Sequence, residues 1–175
     1  MAGHNKWSKI KRKKEASDLK KGREFGKLAR AIERAAQHGI DPEGNITLRV
    51  AVEQARAANM PRTNIERAIN KGAGGGDAVV LKQTRYEAYG PGGAAILIEA
   101  HTNNTNRTVA EIKHILQEHG GMLVGAGGVT WMFHEGSAVA PITLTKPELS
   151  AFQKLYREVS EHEDVERVLT NVENL

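Results

Sequence analysis

At Lys71-Gly-Ala-Gly-Gly-Gly-Asp77 three properties of the chain change together. Before this run apolar residues recur every three or four positions; after it they alternate, and the sign of the charge inverts. Residues 1–72 carry 17 Lys and Arg against 8 Asp and Glu, a net of +9, whereas residues 73–175 carry 8 against 13, a net of −5. Glycine at this density continues neither helix nor strand and behaves as a connector. The run lacks the Gly-Lys-Ser/Thr ending of a phosphate-cradling loop and the spacing of a dinucleotide fingerprint. A chain of 175 residues can hold two small cores. The expected organisation is therefore a domain at 1–72, a linker at 73–78 and a second domain at 79–175.

The first domain reads as three helices. Phe25, Leu28, Ala29, Ile32, Ala35 and Ala36 share one face of a helix from about Ser17 to His38, stopped by Gly39. A second helix starts from Asn45 as cap and ends near Asn59, with Leu48, Val52 and Ala55 inward. A third follows Pro61, with Ile65 and Ile69 inward and Gly72 as its stop.

Beyond the linker the period is two. Tyr86 to Tyr89 and Ala94 to Glu99 read as strands joined by the turn Gly90-Pro-Gly-Gly93. Asn106 to Glu118 reads as a helix closed by Gly120-Gly121. Val129, Trp131 and Phe133 alternate like one face of a strand, with Ala138 to Thr143 as its partner. Thr145 and Glu148 form a capping box for a helix carrying Leu149, Phe152, Leu155 and Tyr156, and Val165 to Val172 closes as a strand. The fold class is α+β: a basic arm and three helices, then a ββαββαβ sandwich with a mainly antiparallel sheet.

The chemistry concentrates at the N-terminus. Six of residues 6 to 14 are basic: Lys6, Lys9, Lys11, Arg12, Lys13 and Lys14. On the first helix Lys20, Arg23, Lys27, Arg30 and Arg34 recur at three and four residues, nearly opposite the apolar face, with Glu24 and Glu33 at the flanks. A solvated helix usually mixes signs to gain pairs four residues apart. This stripe does not, and with the arm it offers eleven cations to a polyanion. Such contacts give affinity rather than base reading, and no helix here follows the usual helix-turn-helix wording. Trp7 either stacks on an unpaired base or, three residues from Ile10, anchors the arm to the helices. The segment Thr102-Asn-Asn-Thr-Asn-Arg-Thr108 precedes a helix N-terminus, where backbone amides hold an anion or Asn and Thr simply cap the helix; Arg107 is its candidate contact.

Other classes find little footing. With zero cysteines there is no thiolate metal site or cysteine nucleophile. The seven histidines are scattered without metal-ligand spacing, and no serine sits in a nucleophile elbow. No catalytic residue, metal, cofactor or small-molecule substrate is expected. No apolar run reaches the length of a membrane helix, and the Lys-rich start differs from an Arg-rich presequence, so the expected location is the cytoplasm and the partner nucleic acid.

The start Ala2-Gly-His4 with Lys6-Trp7, Ile10-Lys11 and Lys14, followed by Asp18, Lys20, Gly22, Phe25, Lys27, Leu28 and Arg30, closely resembles the YebC family. Tyr86-Glu87, Tyr89-Gly-Pro-Gly-Gly93, Asn106-Arg-Thr-Val-Ala-Glu111, Gly120-Gly121 and Gly128-Val129 with Phe133 are similar to its second-domain signatures. The resemblance runs to about residue 135 and resumes near Pro141, with the short connection Glu135 to Ala140 where familiar members carry a further α/β domain. It implies a shortened member that regulates gene expression without catalysis. Members have been described as DNA-binding transcriptional regulators, and others, mitochondrial relatives among them, as translational activators on the ribosome. The cations, without a groove-reading helix, lean toward ribosomal RNA.

Overall fold

The computed structural model describes residues 21–74 and 81–175. The chain divides into two compact units, Met1–Val79 and Val80–Leu175, and each has an apolar core of its own.

The first unit holds three helices: α1 over the described residues 21–36, α2 (Ile46–Ala57) and α3 (Arg62–Gly72). The expected inward face of α1 is buried most deeply at Ile32, Ala35 and Ala36, while Phe25, Leu28 and Ala29 pack at its margin. Asn45 serves two helices at once. Its Oδ1 accepts the Leu48 N–H at 3.0 Å, and its Nδ2 donates to the carbonyls of Ala35 and Gly39, each at 2.8 Å. One amide thus satisfies a donor at the start of α2 and acceptors at the end of α1. At the other end of α2, Asn59 takes φ 60° and Met60 N–H returns to Ala55 O at 2.9 Å, a left-handed closure that buries Met60. Pro61 then leads into α3. Gly72 is the last residue of that helix, and its role is proximity: a Cβ there would sit 2.2 Å from Glu33 O and 2.8 Å from the Ala36 Cβ.

The second unit is a four-stranded antiparallel sheet with helices. Its elements are β1 (Lys82–Tyr89), β2 (Ala95–Thr102), α4 (Thr105–Glu118), β3 (Met122–Val124), β4 (Phe133–His134), β5 (Ser137–Ala138), α5 (Lys146–Glu161) and β6 (Val165–Thr170). The sheet order is β3-β1-β2-β6, and β4 and β5 form a separate hairpin. Ile96, Ile98 and Ala100 of β2 join Ile112 and Leu116 of α4 and Phe152, Leu155 and Val159 of α5 in one buried cluster. Full burial of each larger side chain contributes about 1.5–3 kcal/mol. The Gly90-Pro-Gly-Gly93 turn presses on this cluster. A Cβ at Gly90 would meet Phe152, Ile96 and Leu155 at 3.1–3.2 Å, and Gly92, at φ 68°, would meet Leu144 at 2.5 Å.

The α+β class is as expected, with differences in the strands. Val129 is buried, but Thr130–Met132 is a turn of 3-10 helix, so Val129, Trp131 and Phe133 do not share a strand. Alternation over three positions fits a turn as well as a strand when a neighbouring residue holds the backbone, as Glu87 does here. The expected partner strand shrinks to Ser137–Ala138, and Ile142 instead makes a parallel bridge to Val172. The strand β3 went unread because three residues are too few to show a period.

The glycine contacts yield a paired expectation for denaturant unfolding. Gly72→Ala should cost the first unit about 2 kcal/mol or more through the forced separation of α3 from α1. Gly22→Ala, in a helix with nothing within 4 Å of the added carbon, should gain about 0.5–1 kcal/mol.

Candidate nucleic-acid interface

Of the twelve residues expected to meet nucleic acid, Lys6, Lys9, Lys11, Arg12, Lys13, Lys14 and Lys20 lie outside the described residues, as do Trp7 and Ile10. Arg23, Lys27, Arg30 and Arg34 lie on α1. Arg23 is exposed; Lys27, Arg30 and Arg34 are half-buried. Arg30 is the most enclosed in its side chain, at 14 % exposure, with its guanidinium 3.7 Å from Glu33 Oε2. Glu33 itself is 7 % exposed and receives Lys71 Nζ from α3 at 2.9 Å. The carboxylate expected at the flank of the stripe is therefore turned into the seam between α1 and α3. The first unit also exposes Lys21, Arg49, Arg56 and Arg67, which the spacing on α1 could not reveal because three of them lie on other helices.

Arg107 belongs to the second unit. Asn104 caps α4, its Oδ1 accepting the Arg107 N–H at 3.0 Å. The Arg107 guanidinium donates to Asp164 Oδ2 at 2.6 Å, with Glu163 and Glu111 at 3.5 and 3.7 Å. The hydroxyl of Thr108 lies 2.7 Å from the same carboxylate oxygen and 2.7 Å from the Thr102 hydroxyl. Thr102, Thr108 and Asp164 are all almost wholly buried. The hydrogen bond that Arg107 donates to Asp164 raises the Arg107 pKa above its ordinary value, against the lowering effect of burial. An anion does sit beside the start of α4, and it is the chain's own Asp164.

Glu111, His162 and Asp164 present ligand atoms within 4.8 Å of one another. The guanidinium in contact with Asp164 opposes a cation there, and His162 Nε2 is 3.0 Å from Glu111 Oε2.

A second buried carboxylate, missed as a functional residue in the sequence, organises residues 127–131. Glu87 on β1 accepts the N–H groups of Gly127, Val129 and Thr130 at 2.8, 2.7 and 2.9 Å. Burial pushes its carboxyl up, but the amides of Val129, Gly127 and Thr130 and the Thr130 hydroxyl outweigh that and hold it down at about 2. The Tyr89 hydroxyl and the Trp131 indole N–H both donate to Gly128 O, at 3.0 and 3.2 Å. Trp131 is left 64 % exposed on this fastened segment.

Fold and site define a class: a basic three-helix unit, with a row of cations along its first helix, in one chain with an acidic α+β unit. Two family models match, the TACO1/YebC protein N-terminal domain over residues 5–75 and the TACO1/YebC second and third domain over residues 81–140. The chain belongs to the TACO1/YebC family. A probable transcriptional regulatory protein of Desulforamulus reducens is 53 % identical over 136 residues, 77 % of this chain and 56 % of the relative. One from Geotalea uraniireducens is 47 % identical over 175 residues, 98 % of this chain and 71 % of the relative. The first two relatives, the second from a Synechococcus strain, are matched over only 56 and 60 % of their own lengths. The crystal structure of a conserved hypothetical protein from Aquifex aeolicus superposes with a TM-score of 0.76 at 28 % identity, covering 89 % of this chain and 91 % of that one. The names of the Desulforamulus, Geotalea and Synechococcus relatives describe probable transcriptional regulatory proteins. Residues 141–175, beyond both family matches, supply α5 and β6, and β6 pairs with β2 of the same sheet. Among the described residues no helix is long and apolar enough to cross a membrane.

Two outcomes follow for the second unit. Arg107→Ala, which strands a buried carboxylate, should destabilise it by about 2–4 kcal/mol in urea unfolding. For Glu87 the folded pKa lies below the ordinary value of 4.5, so its contribution is fully present above about pH 5 and is lost as the pH falls through 4.5 toward 2. Glu87→Gln should therefore be less stable than the parent by about 1.5–3 kcal/mol near neutral pH, and the gap should close toward pH 2.

Proposed function

We propose that this chain is a non-catalytic regulator of gene expression that holds nucleic acid through the basic face of its first unit, and that it acts in translation, on ribosomal RNA. The observation that carries the reading is the alignment of Arg23, Lys27 and Arg34 along α1, nearly opposite the buried Ile32, Ala35 and Ala36, in a unit of net charge +9. Lys6, Lys9, Lys11, Arg12, Lys13, Lys14 and Lys20 complete the proposed surface, whereas Arg30, at 14 % exposure beside Glu33, is not counted among its contacts. Phosphate contacts of this kind place a protein on a folded RNA by shape and charge without a helix that reads base edges. Arg107 has no part in it, because its guanidinium is engaged by Asp164. In this reading the glycine run 73–78 separates two roles, polyanion binding before it and contact with protein after it.

A second reading, duplex DNA and transcription, is favoured by the names of the relatives. A third, a protein module whose basic face meets an acidic partner, rests on the same cations and is distinguished by nuclease treatment, which a protein partner would survive.

Sedimentation of lysate through a gradient at low and high salt tests the first reading. Comigration with ribosomes at low salt, lost at high salt, is the expected result; migration away from ribosomes with retention on duplex DNA would replace it with the second. The variant Lys27→Glu/Arg34→Glu should lose nucleic-acid retention by about tenfold or more while keeping its circular dichroism. Retention that does not change with that variant or with salt would defeat any polyanion reading.

A further inference from the structure

We propose that Glu33 masks part of the cationic surface of the first unit, so that Arg30 and Lys71 are withheld from nucleic acid and the salt sensitivity of binding is lower than the charge count implies. The inference rests on the nucleic-acid reading above and concerns how that surface is tuned. Glu33 is a carboxylate on the helix that carries the stripe, adjacent in sequence to Arg34 and three residues after Arg30. Most acidic side chains on such a helix stay in water; this one is 7 % exposed. It draws a cation from each of two helices, Arg30 from α1 at 3.7 Å and Lys71 from α3 at 2.9 Å. Their side chains are 14 % and 38 % exposed.

The physical consequence is a matter of charge balance at the surface. A cation contributes to the salt dependence of binding when it neutralises a phosphate and releases a condensed counterion. Lys71 can do this only by weakening its 2.9 Å bond to an almost wholly buried carboxylate, and Arg30, 14 % exposed, is enclosed beside the same group, so either exchange is costly. Both are therefore silent in binding. Removing its charge without changing its shape should release the ammonium of Lys71, which is already half in water, and loosen Arg30.

A labelled single-stranded RNA oligonucleotide, titrated with the full chain at several KCl concentrations, provides the test. Glu33→Gln should bind more tightly than the parent at every salt. Its plot of log K against log salt should be steeper by about 0.7 for each cation released, one or two in all. Lys71→Gln should leave the parent slope unchanged, because the cation removed was not in use; Lys27→Gln should lower it by about 0.7. Glu33 acting only as a strut between α1 and α3 would make Glu33→Gln less stable in urea and leave its slope where it was, which overturns the proposal. If Glu33→Gln does not fold, Lys71→Gln still decides: a slope lowered as much as in Lys27→Gln means that Lys71 touches phosphate and the masking idea is wrong. Absence of RNA binding by the parent chain overturns both this proposal and the reading on which it rests, whereas parental binding with equal slopes in Glu33→Gln overturns this proposal alone.

Discussion

An added methyl on Gly72 would lie 2.2 Å from the carbonyl oxygen of Glu33, one on Gly92 would lie 2.5 Å from Leu144, and one on Gly121 would lie 2.9 Å from the carbonyl of Tyr89. These are separations that side chains do not tolerate, and each marks a place where backbone is pressed against a neighbouring element. In the first unit the contact sets how closely α3 approaches α1, and so whether Lys71 can reach Glu33. In the second it seats the turn between β1 and β2 on α5, and it brings the start of β3 beside the end of β1. The ion pairs and the loop fastened by Glu87 depend on this spacing, because charge-assisted hydrogen bonds weaken steeply once the partners part.

The long amphipathic helices were legible because their signal repeats over several turns. Asn45 was readable as a cap, and so were Thr145 and Glu148, whose carboxylate accepts the backbone N–H of Thr145 at 2.9 Å and its hydroxyl at 2.6 Å. Cap chemistry is local, so a window of four residues contains it. What escaped is long-range or short-lived in sequence. Asp164 stands 57 residues from Arg107, and Lys71 stands 38 from Glu33. No spacing rule links such positions, and only the folded backbone brings them together. The strand Met122–Val124 and the turn Thr130–Met132 are each three residues long, shorter than the period that would have announced them.

The segment Thr102 to Thr108 shows how a chemical signature can be correct while its occupant is misjudged. Asn, Thr and Arg at the start of a helix do gather around a negative charge. Here that charge comes from Asp164, at the entrance to β6, and His101 N–H bonds to the backbone carbonyl of the same residue at 2.8 Å. The arrangement ties β2, α4 and β6 through one buried residue. A ligand competing for this place would have to displace an ion pair whose carboxylate is almost wholly buried, and that cost is larger than a surface helix N-terminus recovers from a phosphate.

What each faces is what distinguishes the three buried carboxylates among the described residues. Glu33 faces cations and subtracts from the charge of the surface that carries them. Asp164 faces a cation and the Thr108 hydroxyl, and holds strands to a helix. Glu87 faces mainly backbone amides, and its effect is conformational: the N–H groups of Gly127, Val129 and Thr130 converge on it, which fixes the segment that leads into the 3-10 turn Thr130–Met132. A loop held this way loses little freedom when something binds to it, which is the condition under which an exposed aromatic such as Trp131 contributes most to a contact. The positive charge of the first unit and the fixed loop of the second are therefore different physical resources. One acts at a distance and fades with salt; the other acts only on contact and does not.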